Sequence, residues 1–210
     1  MFKNRSEAGR RLALKLKQYK NSSAVVLALP RGGLPVAYEI ARALKLSLDI
    51  FSVRKVGHPY NSEYAIGAVD NLGNQLCNEK EIKNIDPRWI EEEIEKQKQE
   101  AERRAGIYRQ GEQALEIKNK NVILVDDGAA TGLTLRLAIQ SLKKMETKEI
   151  IVAIPVTPKE VAILLREAGD KLVALEIPEF FQGAVGAYYE DFGEVSDQEV
   201  ISLLTESRTA

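Results

Sequence analysis

The 210-residue sequence holds one cysteine and one histidine. An internal disulfide is therefore excluded, and so is a zinc centre of the usual cysteine and histidine kind, which leaves oxygen as the donor for any metal. Long apolar runs are missing too. Stretches such as Ala24–Pro30 reach seven residues, far short of the roughly 18–20 that span a bilayer. The N-terminus, Met-Phe-Lys-Asn-Arg-Ser-Glu, continues into mixed charge without the apolar segment of a secretory signal, so the expectation is a cytoplasmic protein with no membrane partner. Neither sign of charge dominates. Thirty Lys and Arg stand against 31 Asp and Glu, for a net charge of −1, which removes the chain-wide basic field that would attract nucleic acid. The sequence also lacks G-x-x-x-x-G-K-[ST], G-x-G-x-x-G and G-x-S-x-G, the signatures of common nucleotide-binding and hydrolase sites.

What remains is a chain with 44% apolar residues, long enough to bury about 70% of its unfolded surface around one core. Runs of Val, Ile and Leu alternate with segments of helical spacing, which is the rhythm of an α/β fold. Strands are expected at Ala24–Leu29, Leu46–Val53, Val122–Val125, Ile150–Pro155 and Leu172–Ile177. Their unbroken apolar character suits a mainly parallel five-stranded sheet covered on both faces. Helices are expected at Ser6–Tyr19, Leu34–Leu44, Thr134–Lys144 and Pro158–Ala168. Thr157-Pro158-Lys159-Glu160 and Ser196-Asp197-Gln198-Glu199 read as capping boxes that open the last two helices.

The whole of 1–210 is read as one domain with an insertion at 55–121 and a C-terminal hood at 178–210. Within the insertion, the polar stretch Gly57–Ser62 reads as a loop, and Ala65–Val69 with Gln75–Asn78 as a hairpin. A long helix starts at Asp86-Pro87 and carries the stripe Ile90, Ile94, Ala101, Ala105, Tyr108. Charge pairs Glu92→Lys96 and Glu100→Arg104 suggest that it lies on the surface. Insertions beside a parallel sheet commonly serve as lids or oligomer contacts, which makes a homodimer an admissible assembly.

The most informative stretch is Val122-Ile123-Leu124-Val125-Asp126-Asp127-Gly128-Ala129-Ala130-Thr131-Gly132-Leu133-Thr134-Leu135. A buried strand delivers two carboxylates to its C-terminal edge, where open α/β sheets bind ligands. Small residues then let backbone N–H groups and a helix N-terminus approach a phosphate, with Thr131 and Thr134 as further donors. Carboxylates beside an anion pocket make sense when the ligand carries hydroxyls or Mg²⁺ next to its phosphate. A sugar phosphate meets both demands.

This stretch resembles the phosphoribosyl-diphosphate (PRPP) binding motif of the type I phosphoribosyltransferases: a hydrophobic strand, two acidic residues and a loop ending Thr-Gly-x-Thr. The resemblance implies that Asp126 and Asp127 receive the ribose hydroxyls, while Gly128, Ala129, Ala130, Thr131, Gly132, Leu133 and Thr134 wrap the 5′-phosphate. Leu29-Pro30-Arg31-Gly32-Gly33 looks like the family's pyrophosphate loop, with backbone N–H groups at Gly32 and Gly33 and the charge of Arg31. Arg54-Lys55-Val56-Gly57 is similar to the stretch leading into the flexible catalytic loop of adenine-type members, and Glu63-Tyr64 to the Glu-Tyr pair that follows it. The implied activity is transfer of a 5-phosphoribosyl group from PRPP to a small nitrogenous acceptor, releasing pyrophosphate. Arg31, Lys55 and Glu63 are the expected catalytic residues, Pro30 and Arg54 line the PRPP site, and Mg²⁺ is bound through PRPP oxygens. Hypoxanthine-type members place an aspartate before Thr-Gly, whereas Ala130 stands here. Proton exchange with the acceptor then falls to Glu63, His58 or a backbone carbonyl, although a loop histidine is by default solvent-facing. Some chains of this fold instead sense PRPP and act as regulators. Such a chain should carry an added basic element, and only the N-terminal helix, with Arg5, Arg10, Arg11, Lys15 and Lys17, hints at one. A solvated amphipathic face accounts for that helix, and core or interface packing accounts for the aromatics Phe180, Phe181, Tyr188, Tyr189 and Phe192. Cys77 is read as a small buried hydrophobe.

Overall fold

A computed structural model describes the chain except for Ala210 and the side chains of Glu63 and Thr209. The strands are β1 (Val25–Ala28), β2 (Ser47–Ile50), β3 (Val53–His58), β4 (Asn61–Asp70), β5 (Gln75–Cys77), β6 (Asn121–Val125), β7 (Glu149–Val156) and β8 (Lys171–Glu176). The helices are α1 (Arg5–Lys15), α2 (Gly33–Leu44), α3 (Glu79–Ile82), α4 (Pro87–Arg109), α5 (Leu133–Lys144), α6 (Lys159–Ala168) and α7 (Asp197–Thr209). Five strands form a parallel sheet in the order β2-β1-β6-β7-β8, and β3-β4-β5 form a second, antiparallel sheet.

The apolar runs are continuous because successive side chains enter two different cores. Val26, Ala28, Ile123, Val125, Ile151 and Ala153 pack with Leu12 of α1, Ile40 of α2 and Leu204 of α7. Val25, Leu27, Val122, Leu124, Ile150 and Val152 meet Leu135 of α5 and Leu165 of α6 on the other face. The chain leaves β1 towards β2 on one side, whereas β6 lies on the other. The β1/β6 boundary is thus the topological switch point, and Ala28 stands level with Val125 there.

Several sequence expectations change in three dimensions. The single strand expected at Leu46–Val53 is broken at Phe51-Ser52: Phe51 N–H still donates to Ala28 O at 2.9 Å, while Val53 pairs with Asp70 in the second sheet. Phe51 and Val53 pack in the same core, so the change of sheet leaves no gap in the apolar run. The loop expected at Gly57–Ser62 is the end of a hairpin, with His58 opposite Asn61 and register shifts around Gly57. A Cβ on Gly57 would collide with Ser62 O, so the irregularity and its glycine explain why no strand-like alternation is visible.

The long helix is no free surface element. Trp89 and Ile94 pack on Val56, Ile66 and Val69 of the antiparallel sheet, and Tyr108 Oη donates to Asp197 of α7 at 2.7 Å. Lys96 pairs with Glu93 rather than Glu92, whereas Glu100–Arg104 forms as expected, at 2.7 Å. The N-terminal α-helix stops at Lys15 and a 3₁₀ turn carries the chain through Lys17–Tyr19. Thr157 does not cap α6. Its hydroxyl donates to Ala129 O at 3.1 Å, tying the loop after β6 to β7. Ser196 does cap α7, accepting from Glu199 N–H at 3.1 Å. Cys77 is half-buried in β5.

Candidate active site

The loops at the C-terminal ends of β1 and β6 open into a cleft of about 1140 Å³. Its far wall comes from β3 and α4, and its roof from the segment before α7. On the floor, Asp126 and Asp127 keep some exposed area towards the cleft yet are enclosed by protein. Burial pushes the Asp126 carboxyl well above the usual carboxylate range, and the neighbouring Asp127 charge adds to this. A bond from Asp127 N–H at 2.9 Å, Lys55 and Arg5 act in the opposite direction. Asp127 is likewise raised by burial, and Arg5 offsets it through an ion pair of 2.8 Å.

Past the carboxylates, Gly128 has φ +155° and Gly132 has φ +70°. A Cβ at Gly132 would approach Val161 to 2.8 Å, so the positive φ and the close α6 packing both favour glycine here. Gly132 stands at the N-cap of α5, which aims that helix's free N–H groups and dipole at the loop. Ala129 N–H donates to Val156 O at 3.0 Å, completing the anchorage.

The opposite loop needs its glycines for closeness rather than for a left-handed turn. A Cβ on Gly32 would collide with Asp127 Oδ2, and one on Gly33 would stand 2.7 Å from Val125 O. The Gly33 N–H is spent on Leu29 O at 3.1 Å, so it is not free for an anion as the sequence suggested. Arg31 lines the cleft and pairs with Glu194 and, at 3.4 Å, with Asp197.

Pro30, Arg31, Gly32, Arg54, Lys55, Asp126, Asp127, Gly128, Ala129, Ala130, Thr131, Gly132 and Thr134 all line this one cleft. Gly33 and Leu133 do not. Gly33 lies against the Val125 and Asp126 backbone, and Leu133 is buried in the core beside α6. Glu63 belongs to β4, and its side chain lies outside the described residues. His58 stands half-buried at the end of β3, where Nδ1 accepts from Tyr60 N–H at 3.3 Å, and it lines the cleft instead of facing solvent from a loop.

Sequence reasoning missed the residues that α4 and the termini supply: Arg5, Trp89, Lys96, Gln97, Arg104 and Phe192 also line the cleft. Arg54 donates from Nε to Gln97 at 3.1 Å and has no carboxylate partner among the described residues. Burial and then Arg104 lower its pKa, Glu100 opposes them, and Arg31 adds a smaller lowering. Arg54, Arg104 and Arg31 thus line the same cleft, a distribution suited to a multiply charged anion. The only sequence trace of Arg104 is its spacing from Glu100, which is indistinguishable from an ordinary surface pair.

A family model described as the phosphoribosyl transferase domain matches residues 2–191. Two Mycobacterium tuberculosis proteins, from strains CDC 1551 and H37Rv, carry phosphoribosyl transferase in their names. They are 35% identical to this chain over 206 residues, covering 97% of it and 46% of their own length. The chain therefore spans about half the length of these curated relatives. Among solved structures, TT1426 from Thermus thermophilus is 40% identical, with a TM-score of 0.80 and 98% of both chains covered. An acidic pair at the switch point, a loop running into a helix N-terminus and a matching family model along nearly the whole chain lead to one assignment: it belongs to the type I phosphoribosyltransferases.

Proposed function

We propose that this chain transfers the 5-phosphoribosyl group of PRPP to a small nitrogenous acceptor and releases pyrophosphate. The observation that carries the reading is the juxtaposition, across the β1/β6 switch point, of the Asp126–Asp127 pair and its phosphate loop with the Arg31 loop. Sugar hydroxyls would meet the carboxylates, the 5′-phosphate the loop 128–134, and pyrophosphate the cations Arg31, Lys55 and Arg54. As the bond from C1 to pyrophosphate breaks, the ribose gains oxocarbenium character, and the acceptor nitrogen closes on C1 from the other face. The side chains supply placement, stabilisation of the departing anion and exclusion of water.

Mg²⁺ suits this site as an ion carried by the ligand. Among the described residues no cluster of three or more His, Cys, Asp or Glu side chains could cage a metal, and one oxygen of Asp127 is committed to Arg5. Held by PRPP oxygens, Mg²⁺ would neutralise part of the pyrophosphate charge. The decisive experiment is a screen of nitrogenous bases for PRPP-dependent pyrophosphate release. At least one base should give turnover. PRPP binding without turnover on a broad panel, together with PRPP-dependent binding of a DNA or RNA, would replace the transferase reading with that of a sensor.

A further inference from the structure

The basic face predicted for the N-terminal helix would leave Arg5 in solvent, yet its side chain is only 12% exposed. Its Nε donates to Asp127 Oδ2 at 2.8 Å, and Nη1 donates to Gly193 O at 2.7 Å. The guanidinium carbon lies 3.8 Å from the centre of the Phe192 ring. Two hydrogen bonds in the guanidinium plane and an aromatic face against it leave the group one orientation.

The first residues of the chain are strapped to the segment that supplies Gly193 and Phe192. Phe2 N–H donates to Tyr188 O at 2.8 Å, Glu190 N–H to Phe2 O at 2.8 Å and Asp191 N–H to Lys3 O at 3.0 Å. Phe2 is fully buried with its ring 5.2 Å from that of Tyr189, and Tyr189 Oη donates to Asp127 O at 2.6 Å. The strap therefore holds Asp127 by its main chain and, through Arg5, by its carboxylate.

The effect falls on one oxygen. Asp127 Oδ2 takes the Arg5 bond and sits against Gly32, where no Cβ fits, while among the described residues no other residue donates a hydrogen bond to Oδ1. A carboxylate with one oxygen pinned and the other uncommitted is a directional acceptor for a hydroxyl. We propose that Arg5 is a positioning residue for sugar recognition, orienting Asp127 so that Oδ1 is offered to a ribose hydroxyl, which makes the N-terminal strap part of the sugar site. The inference rests on the PRPP reading given above. Lysine at position 5 would keep the charge, but it could not bond Asp127 and Gly193 in one plane while stacking on Phe192.

Calorimetric titration with Mg²⁺–PRPP, ribose 5-phosphate and inorganic pyrophosphate, each separately, tests it in wild type, Arg5→Gln, Arg5→Lys, Asp127→Asn and the Arg5→Gln/Asp127→Asn double variant. Arg5→Gln should weaken PRPP and ribose 5-phosphate about tenfold or more, the scale of one charge-assisted hydrogen bond. Pyrophosphate affinity should stay unchanged, Arg5→Lys should fall between, and the double variant should bind no more weakly than Asp127→Asn alone. If Arg5→Gln does not fold, Phe192→Leu, which removes the stack and keeps the ion pair, should show the same sugar-selective loss. Parallel loss of pyrophosphate, additive effects in the double variant, or wild-type sugar affinity in Arg5→Gln overturns the inference alone. A wild type that binds neither PRPP nor ribose 5-phosphate overturns the PRPP reading and the inference with it.

Discussion

Asp126 is held where a carboxylate is costly, with burial raising its pKa and a second carboxylate beside it. A group whose folded pKa lies above its unfolded value favours the fold only at low pH, and that contribution is lost as pH rises through the folded pKa. Asparagine keeps the oxygen that accepts from Asp127 N–H and removes the charge. Asp126→Asn should therefore be more stable than wild type at pH 7, by about 2–4 °C in Tm for each kcal/mol regained. The advantage should shrink as pH falls towards 4, and PRPP affinity should drop sharply. Thermal melts across that pH range, paired with PRPP titration, check both halves.

Ala130 carries a different expectation. By the family resemblance it stands where hypoxanthine-type members place an aspartate, so if the transferase reading holds, hypoxanthine and guanine should be poor acceptors, because general acid–base help is commonly worth about 10²–10⁴ in rate. Brisk turnover of hypoxanthine would refute this. If Glu63 performs the proton exchange, Glu63→Gln should lower turnover on the true acceptor and leave PRPP affinity unchanged, which steady-state kinetics with a binding titration would resolve.

Among the elements, α4 does most to turn a sheet edge into a cleft. Its C-terminal end is moored by Arg109, which donates from Nε to Asp49 at 3.0 Å and from Nη2 to Ile50 O at 2.8 Å. Asp49 also accepts from Leu115 N–H at 2.9 Å and is almost fully buried. Asp49→Ala would leave Arg109 Nε and the amides of Leu115 and Ile50 without this acceptor, although Nη2 keeps Ile50 O. A loss of about 3–5 kcal/mol is expected in urea denaturation, the usual cost of removing one partner of a buried ion pair. The hairpin tip has the opposite character. Deleting Gly57–Ser62 removes the end of β3 and the start of β4 but neither the acidic pair nor the Arg31 loop, so turnover should vanish while PRPP still binds. Equal loss of both in a calorimetric and kinetic comparison would make the tip part of the PRPP site. Neither element is fully legible in the chain. The stripe Ala101, Ala105, Tyr108 announces a packed helix face, but nothing in its spacing says that the neighbouring Lys96, Gln97 and Arg104 line a cleft.

For the molecule as a whole, a ligand that binds only the folded state adds stability by mass action. At a hundred times its Kd, PRPP should stabilise the chain by about 2.7 kcal/mol, visible as a concentration-dependent rise in Tm. No rise with Mg²⁺–PRPP at any concentration would count against the functional reading. The sequence alone determined the alternation of strands and helices, the parallel sheet, the acidic pair with the small-residue loop after it and the Arg31 loop. These are local: a buried strand needs a continuous apolar run, and a tight strand-to-helix loop needs small residues. Tertiary structure decided the rest. Arg5 and Asp127 are 122 positions apart, and Phe51 and Val53 share a core while belonging to different sheets. Whether a guanidinium points into solvent or onto a carboxylate depends on which segment packs over it, and periodicity within about twenty residues carries no record of a partner on the far side of the chain.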